Sequence, residues 1–544
     1  MRADAVADAG RTGSGLVLIT LASGQFVMTL DSSVMNVSIA TVAEDIGTTV
    51  TGIQTAITLY TLVMATLMIT GGKIGALIGR RRAFMIGCVI YAVGSLTTAL
   101  APNLLVLLLG WSLLEGIGAA LILPAIVALV ASNFAVSDRP RAFGAVAAAG
   151  AAAVAIGPLI GGLVTTYFSW RWVFVGEVVI VAAILVVARR IEDPLAVVPP
   201  PLDWLGAILS AAGLGLFVFG VLRSAEWGWV QPKADGPEWL GLSPTIWLML
   251  AGIGVLWLFW QWELRLERVG RQPLVQTPML QNVQLTGGLL MFFFQYLVQA
   301  GVFFIVPLFL SVVLELSALD TGVRLLPLSA TLLLAALGVP RFFPTVSPRL
   351  VVRLGLLLMF AGAVVLLAGI DLDAGPEIVA IPMLLLGLGI GALASQLGAV
   401  TVSAVPDELS SEVGGLQNTM TNLGASLGTA LAGSILIGTL TASIIQGIQE
   451  NPDVPEQVKS QATVELAGGV QILSDSDLES ALAEAGASSE VADAVLEENR
   501  EARSVGLRSA LAVLAGAALI GLFFVRRIPD EQPKAGPAPT ASDA

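Results

Sequence analysis

The sequence predicts an all-α integral membrane protein with about fourteen transmembrane helices, and two observations support this. Of the 544 residues, 56% are hydrophobic and 12% are charged, and the mean hydropathy is +0.86, which lies outside the range of soluble globular proteins. The apolar residues are grouped in blocks of roughly 18 to 26, the length that crosses about 30 Å of hydrocarbon at about 1.5 Å per residue.

The apolar blocks place the helices in order along the chain after a short polar tail. Because no A-x-A cleavage site follows the first block, we expect its helix to be retained. The count is even, so both termini lie on one side, and most of the 27 basic residues fall on that side. The positive-inside rule therefore predicts that both termini are cytoplasmic. The predicted helices lie near 15–40, 51–71, 83–101, 104–127, 141–163, 171–188, 203–222, 245–262, 285–311, 321–338, 350–370, 377–400, 412–440 and 506–525.

The composition also excludes several kinds of chemistry. The chain has one cysteine, Cys88, and no histidine, so we expect no internal disulfide, no metal site and no cofactor. Proton exchange near neutral pH would have to use carboxyl groups. Without histidine the sequence offers neither a GxSxG motif with a catalytic triad nor an HExxH motif, so we do not predict an enzyme. No nucleic-acid partner is expected either.

One long polar segment, residues 441–505, is strongly acidic and is predicted to be extracellular. Within it, Ser476 and Glu479 have the spacing of a capping box that opens a short helix, and Gly486 could end that helix. A second helix is expected from Ser488 into the last span. Two interpretations remain open: a solvated loop kept negative by topology, or a lid or acidic surface that concentrates cations.

Segments in the first and second halves of the chain resemble each other at a nearly constant sequence offset. Small residues recur with the same spacing from Gly144 and, 271 residues later, from Gly415. The segments 113–119 and 386–392 match at an offset of 273, and 79–87 and 347–355 match at 268. Three matches in the same order indicate a duplicated six-helix unit, which is a transporter architecture with the substrate path between the halves.

This repeat divides the chain into a 6+2+6 arrangement of helices. An N-terminal half and a C-terminal half flank two inserted helices, near 203–222 and 245–262. The predicted units are the cytoplasmic tail 1–14, the first half 15–190, the insert 191–284, the second half 285–525 with the loop 441–505, and the cytoplasmic tail 526–544.

Several motifs resemble the major facilitator superfamily, and within it the fourteen-helix drug:proton antiporters of the multidrug efflux type. The first-helix signature of that family resembles LDSSVMNVSIATV at 30–42, and its loop motif resembles GGKIGALIGRRRAF at 71–84. AIGPLIGG at 155–162 resembles the antiporter motif, followed by SWRWVFVGEVV at 169–179. The first inserted helix resembles DWLGAILSAAGLGLFVFGVL at 203–222. The GP-x-x-GG element is the most specific of these, because the family uses it to mark export.

The resemblance implies a secondary active transporter in the plasma membrane that exports small hydrophobic or cationic compounds by proton antiport with alternating access. Its implied partners are the substrate, protons and the lipid bilayer, and the chain is expected to act as a monomer. The sequence differs from the usual family pattern at Ala76, where the family has Asp, and at Trp111, near the position of an Arg. The implied motif residues are Gly157, Pro158, Gly161 and Gly162 for packing or hinging, and Gly72, Gly75, Gly79, Arg80 and Arg81 in the cytoplasmic loop.

Asp31 and Glu115 are predicted to couple protons to substrate. Each lies near the middle of an apolar helix, where a charge costs roughly 2.5 to 3.5 kcal/mol on insertion scales. A purely structural, protonated acid is the alternative for both residues. Glu177 lies about 9 Å into its helix, where interfacial snorkelling or a pairing with Arg171 competes with function.

Polar and aromatic side chains of the second half are predicted to line the cavity opposite these acids. Such a wall would suit bulky lipophilic or cationic molecules. The candidates are Gln295, Gln299, Phe303, Gln396, Asn418 and Asn422. A proton-uncoupled or symport-type transporter of a small solute is the alternative function.

Overall fold

The helices of this computed structural model follow the predicted apolar blocks closely. The structure describes residues 2–134, 139–191, 203–233, 236–371, 375–405, 410–450, 472–484 and 488–532. In these parts the chain is helical throughout, with no β-strand beyond one isolated bridge. The helices are α1 (Arg2–Val37), α2 (Ile39–Asp45), α3 (Val50–Ile78), α4 (Arg80–Ala99), α5 (Leu104–Leu107), α6 (Gly116–Asn133), α7 (Arg139–Tyr167), α8 (Arg171–Ala188), α9 (Trp204–Trp227), α10 (Pro244–Arg268), α11 (Val283–Leu308), α12 (Ala318–Phe342), α13 (Pro348–Gly369), α14 (Ala380–Val402), α15 (Ser410–Glu450), α16 (Asp475–Glu484) and α17 (Ser489–Phe524).

Thirteen helical stretches of the described chain are long and apolar enough to cross a membrane. α7 is the fourteenth, because it passes the same test as two pieces bent by 43° between Val154 and Ile156. Pro158 has no N–H to donate to the carbonyl of Val154, four residues earlier, and this missing bond accounts for the bend. The predicted number of about fourteen transmembrane helices is confirmed.

Capping side chains begin several of these helices. Thr49 Oγ1 accepts the backbone N–H of Gly52 at 3.1 Å at the start of α3, and Asn103 Oδ1 accepts that of Val106 at 3.1 Å at the start of α5. The turn between α3 and α4 is a single residue, Gly79, whose φ of +101° is accessible to glycine.

The helices form two packed groups that meet along two long contacts. In the first group α1 packs against α7, and α4 packs against α6 and α8; in the second group α11 packs against α15, and α14 packs against α12 and α13. α3 of the first group packs against α15, and α7 packs against α12 of the second. The inserted helices α9 and α10 pack against each other, and α9 also contacts α3 and α15.

Small residues allow the close approach within these contacts. A Cβ atom on Gly162 of α7 would lie 2.4 Å from the carbonyl oxygen of Ala318 on α12. A Cβ atom on Gly433 of α15 would lie 2.1 Å from the side chain of Gln54 on α3. Gly162 and Gly433 are the positions that the repeat aligns, so the two contacts are counterparts.

Two details differ from the sequence expectation. The polar tail 1–14 is helical from Arg2 and continuous with the first span. The acidic helix α16 begins two residues early, because Ser474 and not Ser476 caps it: Ser474 Oγ accepts the N–H of Asp477 at 3.1 Å. α17 begins after Ser488 as predicted. Residues 451–471 of the acidic segment, Gly486 and the tail beyond residue 532 lie outside the described residues.

Candidate functional site

Asp31 lies six residues before the end of the first span, Gly15–Val37, and is completely buried. The indole Nε1–H of Trp111 donates to both of its carboxyl oxygens, at 2.8 and 2.9 Å. The hydroxyl of Tyr60 on α3, itself 1% exposed, faces the same carboxyl group. Trp111 and Tyr60 are both neutral, so the hydrogen bonds from Trp111 hold Asp31 without a counter-charge.

Trp111 and Glu115 belong to a π-helical segment, Leu108–Glu115, between α5 and α6. Such a segment changes the direction of the side chains that follow it, and it is found often at functional sites. The Trp111 ring stacks on Tyr60 with centroids 5.0 Å apart and planes 9° apart. Ser112 fixes the segment by donating to the carbonyl of Ala56 at 2.8 Å.

Glu115 is fully buried where α4 crosses the π-helical segment. Thr98 Oγ1 donates to Glu115 Oε1 at 3.0 Å, while Oε2 has no hydrogen-bond partner. A Cβ atom on Gly94 would lie 2.6 Å from Glu115 Cγ, so glycine at this position leaves the room that the carboxyl group occupies. An unpartnered buried oxygen is costly, and this atom is free to take a proton or a ligand.

Glu177 is not a snorkelling residue. It is 1% exposed, and its Oε2 accepts hydrogen bonds from Ser95 Oγ at 2.8 Å and Tyr91 Oη at 3.1 Å. Arg171 pairs instead with Asp45 and donates to the carbonyl of Ala101 at 2.9 Å. From its distance to the helix end alone, Glu177 was expected near the membrane–water interface. The neighbouring helices instead bury it.

The carboxyl groups of Asp31, Glu115 and Glu177 converge, with one oxygen from each lying within 4.8 Å of the others. We call these three residues the carboxyl triad. No lysine or arginine of the described chain forms an ion pair with them. Two like charges about 4 Å apart repel by roughly 4 kcal/mol at an effective dielectric constant of about 20, so the three groups cannot all be ionised without a cation. The chemistry that this spacing allows is the binding of protons or of a positively charged ligand.

Gln295 and Gln299 lie near the middle of α11 in the second group. Both are buried, at 2% and 7% exposed, and both have a side-chain carbonyl oxygen without a partner. Phe303, one turn further, lines a narrow pocket between the two groups together with Ser33 of α1 and Pro158 of α7. These three predicted cavity residues follow one another, four apart, along α11, and Phe303 is the one that meets the first group in this pocket.

The other predicted cavity residues lie elsewhere along their helices. Gln396, six residues before the end of α14, accepts from Gln532 at 3.2 Å. Asn418 and Asn422 donate to carbonyls of their own helix, α15, at 3.0 and 2.9 Å. The structure does not bring Gln396 into the pocket that Phe303 lines.

The GP-x-x-GG element of α7 contacts two helices at once. A Cβ atom on Gly157 would lie 2.4 Å from Ser33 Oγ, and one on Gly161 would lie 3.0 Å from Val34, both on α1. Pro158 and Gly162 face the opposite side, against Gly322 and Ala318 of α12. The element thus joins the helix that carries Asp31 to the second group.

The loop motif surrounds the turn at Gly79. Gly72 and Gly75 face Pro124 and Ala83 at ordinary contact distances. Arg80 donates to the carbonyl of Ala128 at 3.3 Å, and Arg81 donates to that of Ile191 at 2.9 Å. These arginines fix the ends of α6 and α8 to the turn. Nothing is described for the side chain of Ala76.

Several residues of the site were not singled out from the sequence: Tyr60, Tyr91, Ser95 and Thr98. They are ordinary helix residues, and only the way the helices cross makes them partners of the acids. One signal was available, because Gly94, Gly110 and Gly118 mark where α4 and the fourth span approach closely.

Several known proteins are similar to this chain over most of its length. Residues 21–429 match the family model described as Major Facilitator Superfamily. The chain is 29% identical over 432 residues to the puromycin resistance protein pur8 of Streptomyces alboniger, covering 78% of this chain and 82% of that protein. It is 27% identical over 428 residues to the tetracenomycin C resistance and export protein of Streptomyces glaucescens, covering 77% and 75%. It is 27% identical over 529 residues to the multidrug efflux pump LfrA of Mycolicibacterium smegmatis, covering 95% and 97%.

The fold is shared with solved transporter structures of low sequence identity. The POT family transporter PepTSo superposes with a TM-score of 0.58 at 13% identity, covering 95% of this chain and 98% of that one. A bacterial homologue of the human lysosomal transporter Spinster, inward-facing and unoccupied, gives 0.56 at 15% identity, covering 97% and 99%. These likenesses concern the fold alone.

Proposed function

The chain belongs to the Major Facilitator Superfamily, and on that premise we propose that it exports small hydrophobic or cationic compounds in exchange for protons. It is a transporter and not an enzyme, and it is a multi-pass protein of the bacterial plasma membrane. The proposal adds the direction of transport, the substrate class and the coupling ion, with the chain acting as a monomer.

The observation that carries the proposal is the closeness of two fully buried acids, Asp31 and Glu115. Neutral donors hold both, and no lysine or arginine of the described residues pairs with them. A buried carboxylate needs a compensating positive charge. Protons and a cationic substrate can supply that charge in turn. If the binding of one prevents the binding of the other, the transporter exchanges them.

Export is supported by the relatives. The names of three similar proteins are those of an antibiotic resistance and export protein, an antibiotic resistance protein and a multidrug efflux pump. The GP-x-x-GG element at 157–162, which marks exporters in the resembled family, points the same way.

Alternating access is proposed to use the two contacts between the halves, 15–190 and 285–525, with the insert 191–284 beside them. One contact is α7 with α12, and the other is α3 with α15. The repeat relates the two contacts, so separation of the halves at one end of the bundle can accompany their closure at the other. The end with Arg80, Arg81 and both termini is proposed to face the cytoplasm.

The substrate is proposed to bind between the carboxyl groups of the first half and the α11 wall of the second. Gln295 and Gln299 offer amide carbonyls that lack a partner, and Phe303 offers an aromatic face. This combination suits lipophilic cations, which need apolar contact, cation–π attraction and a compensating charge.

Everted membrane vesicles test the proposal. With a proton gradient reported by a fluorescent pH probe, we expect tetraphenylphosphonium, puromycin or another compound of a cationic panel to dissipate the gradient only when the chain is present. Asp31→Asn and Glu115→Gln should each abolish this response at wild-type expression. Export by both variants at wild-type rates would overturn the proposal, and export without any proton movement would favour the alternative, a proton-uncoupled transporter.

A further inference from the structure

Glu177 is an acid that the proposed exchange at Asp31 and Glu115 does not use. It lies on α8, one turn and a half from the start of that helix, and is 1% exposed. Its Oε2 accepts from Ser95 and Tyr91, and its Oε1 has no hydrogen-bond partner among the described residues. A buried carboxyl group with one free oxygen is an incomplete arrangement that a proton or another ligand would complete.

The groups that face Glu177 come from four other elements. α1 contributes Asp31, the π-helical segment contributes Glu115, and α3 contributes Tyr60. α4 contributes the hydroxyls of Ser95 and Tyr91. The titratable groups around it are thus two carboxyl groups and two phenols. No lysine or arginine of the described residues pairs with any of them.

Three atoms at the centre of this arrangement lack hydrogen-bond partners: Glu115 Oε2, Glu177 Oε1 and Tyr60 Oη. Tyr60 is 1% exposed and its hydroxyl is aimed at Asp31, so an unpartnered polar group faces the carboxyl triad in addition to the acids. The other oxygens already accept hydrogen bonds from Trp111, Thr98, Ser95 and Tyr91. The free oxygens are therefore where hydroxyl hydrogens of protonated acids can be placed.

We propose that Glu177 is a third proton-binding residue and that the carboxyl triad holds two protons in this conformation. Three carboxyl groups within 4.8 Å can carry at most one negative charge when no cation compensates them. The protons belong to the triad as a whole, because a change at one carboxyl group alters the occupancy of the other two. The inference rests on the proposed function only for its consequence, that more than one proton is available for exchange.

Infrared spectroscopy of the purified full-length protein tests this without transport. The carbonyl band of protonated carboxyl groups is measured at neutral pH in wild type, Glu177→Gln and Glu44→Gln. Glu44 is exposed on α2, so its variant is the matched control and should leave the band unchanged. We expect Glu177→Gln to remove one carboxyl equivalent, because the remaining pair shares one proton. An unchanged band in Glu177→Gln would overturn the inference.

Two further measurements keep the inference falsifiable if Glu177→Gln does not fold. In wild type, raising the pH should remove two carboxyl equivalents in separate steps, and the loss of one or none would contradict a shared pair of protons. Elemental analysis of the purified protein provides the second measurement. A stoichiometric divalent metal ion would show that the triad binds a metal in place of protons and would also overturn the inference.

The outcomes distinguish this inference from the proposed function. If the band changes as expected but everted vesicles show no proton-linked export, the triad binds protons and the proposed function fails. If export is proton-linked but the band of Glu177→Gln equals that of wild type, the proposed function stands and Glu177 lies outside the exchange.

Discussion

The indole N–H of Trp111 is shared by the two carboxyl oxygens of Asp31, at 2.8 and 2.9 Å. In the family that the sequence resembles, an arginine stands near this position. A neutral donor satisfies the oxygens but brings no positive charge. A charge on Asp31 would therefore need a proton or a cationic ligand to balance it, and this links the departure at Trp111 to the proposed exchange.

Removing this donor should impair transport more than folding. In Trp111→Phe the ring can still stack on Tyr60, but both Asp31 oxygens lose their donor. Leaving a buried acceptor without its partner costs about 1–3 kcal/mol, so we expect a fall of roughly 5- to 150-fold in proton-linked efflux. The rate of tetraphenylphosphonium efflux from loaded vesicles measures this fall.

Trp257→Phe is the matched control, because Trp257 lies on α10 and is 60% exposed at the helix surface. Its efflux should equal that of wild type. Equal losses in the two variants would show that the Trp111 effect is not specific to the hydrogen bond with Asp31.

The contact between α7 and α12 should not tolerate an added methyl group. A Cβ atom on Gly162 would lie 2.4 Å from a backbone carbonyl, so Gly162→Ala forces the two helices apart. We expect transport to fall sharply, and the helix ends to separate. Cross-linking of Thr166→Cys to Leu319→Cys in a Cys88→Ala background measures that separation, because the backbone N–H of Leu319 donates to Thr166 Oγ1 at 3.0 Å.

Gly338→Ala, on α12, is the control, because its added Cβ atom would meet no atom closer than 3.7 Å. It should cross-link and transport like the unmodified background. Normal cross-linking in Gly162→Ala would mean that the close approach of the two helices is not needed.

The counterpart contact should tolerate the same change better. A Cβ atom on Gly433 would meet the end of the Gln54 side chain, which can rotate away, and not a backbone atom. The expected loss is the pair of 3.3 Å hydrogen bonds from Gln54 Nε2 to the carbonyls of Thr429 and Ala430, about 0.5–1.5 kcal/mol each. At equal expression, Gly433→Ala should therefore transport faster than Gly162→Ala. The reverse order would contradict this account.

The sequence predicted the helices well because each is a long apolar block whose length is set by the membrane. Asp31 and Glu115 were found for the same reason, since a charge inside such a block stands out. That they lie close together could be expected only from the resemblance, because helix packing is not readable from hydropathy.

Other features of the site depend on geometry that no local pattern encodes. Glu177 is six residues from a helix end, yet neighbouring helices extend past it and bury it. The π-helical segment Leu108–Glu115 has an ordinary apolar composition, and its altered bonding sets the direction of Trp111. The hydroxyl groups of Tyr91 and Ser95 donate to Glu177 only because α4 packs against α8, and the sequence does not reveal this packing.

The linker after the inserted helices should become accessible when its tie to α3 is removed. Lys73 Nζ donates to the carbonyl of Pro273, and Glu263 and Glu267 on α10 accept from the linker N–H groups of Val275 and Thr277, at 2.8 and 2.6 Å. Lys73→Met removes one of these ties. We therefore expect several-fold faster trypsin cleavage at the exposed Arg271, measured by mass spectrometry of the fragments.

The same digestion tests the proposed orientation of the chain. If the end with the basic residues faces the cytoplasm, Arg271 is cleaved in everted vesicles and protected in intact spheroplasts. Lys233→Met, in the loop at the opposite end of α9, is the control and should leave the rate at Arg271 unchanged. Cleavage at Arg271 in spheroplasts would reverse the orientation, whereas equal rates for Lys73→Met and wild type would show that the other two contacts alone hold the linker.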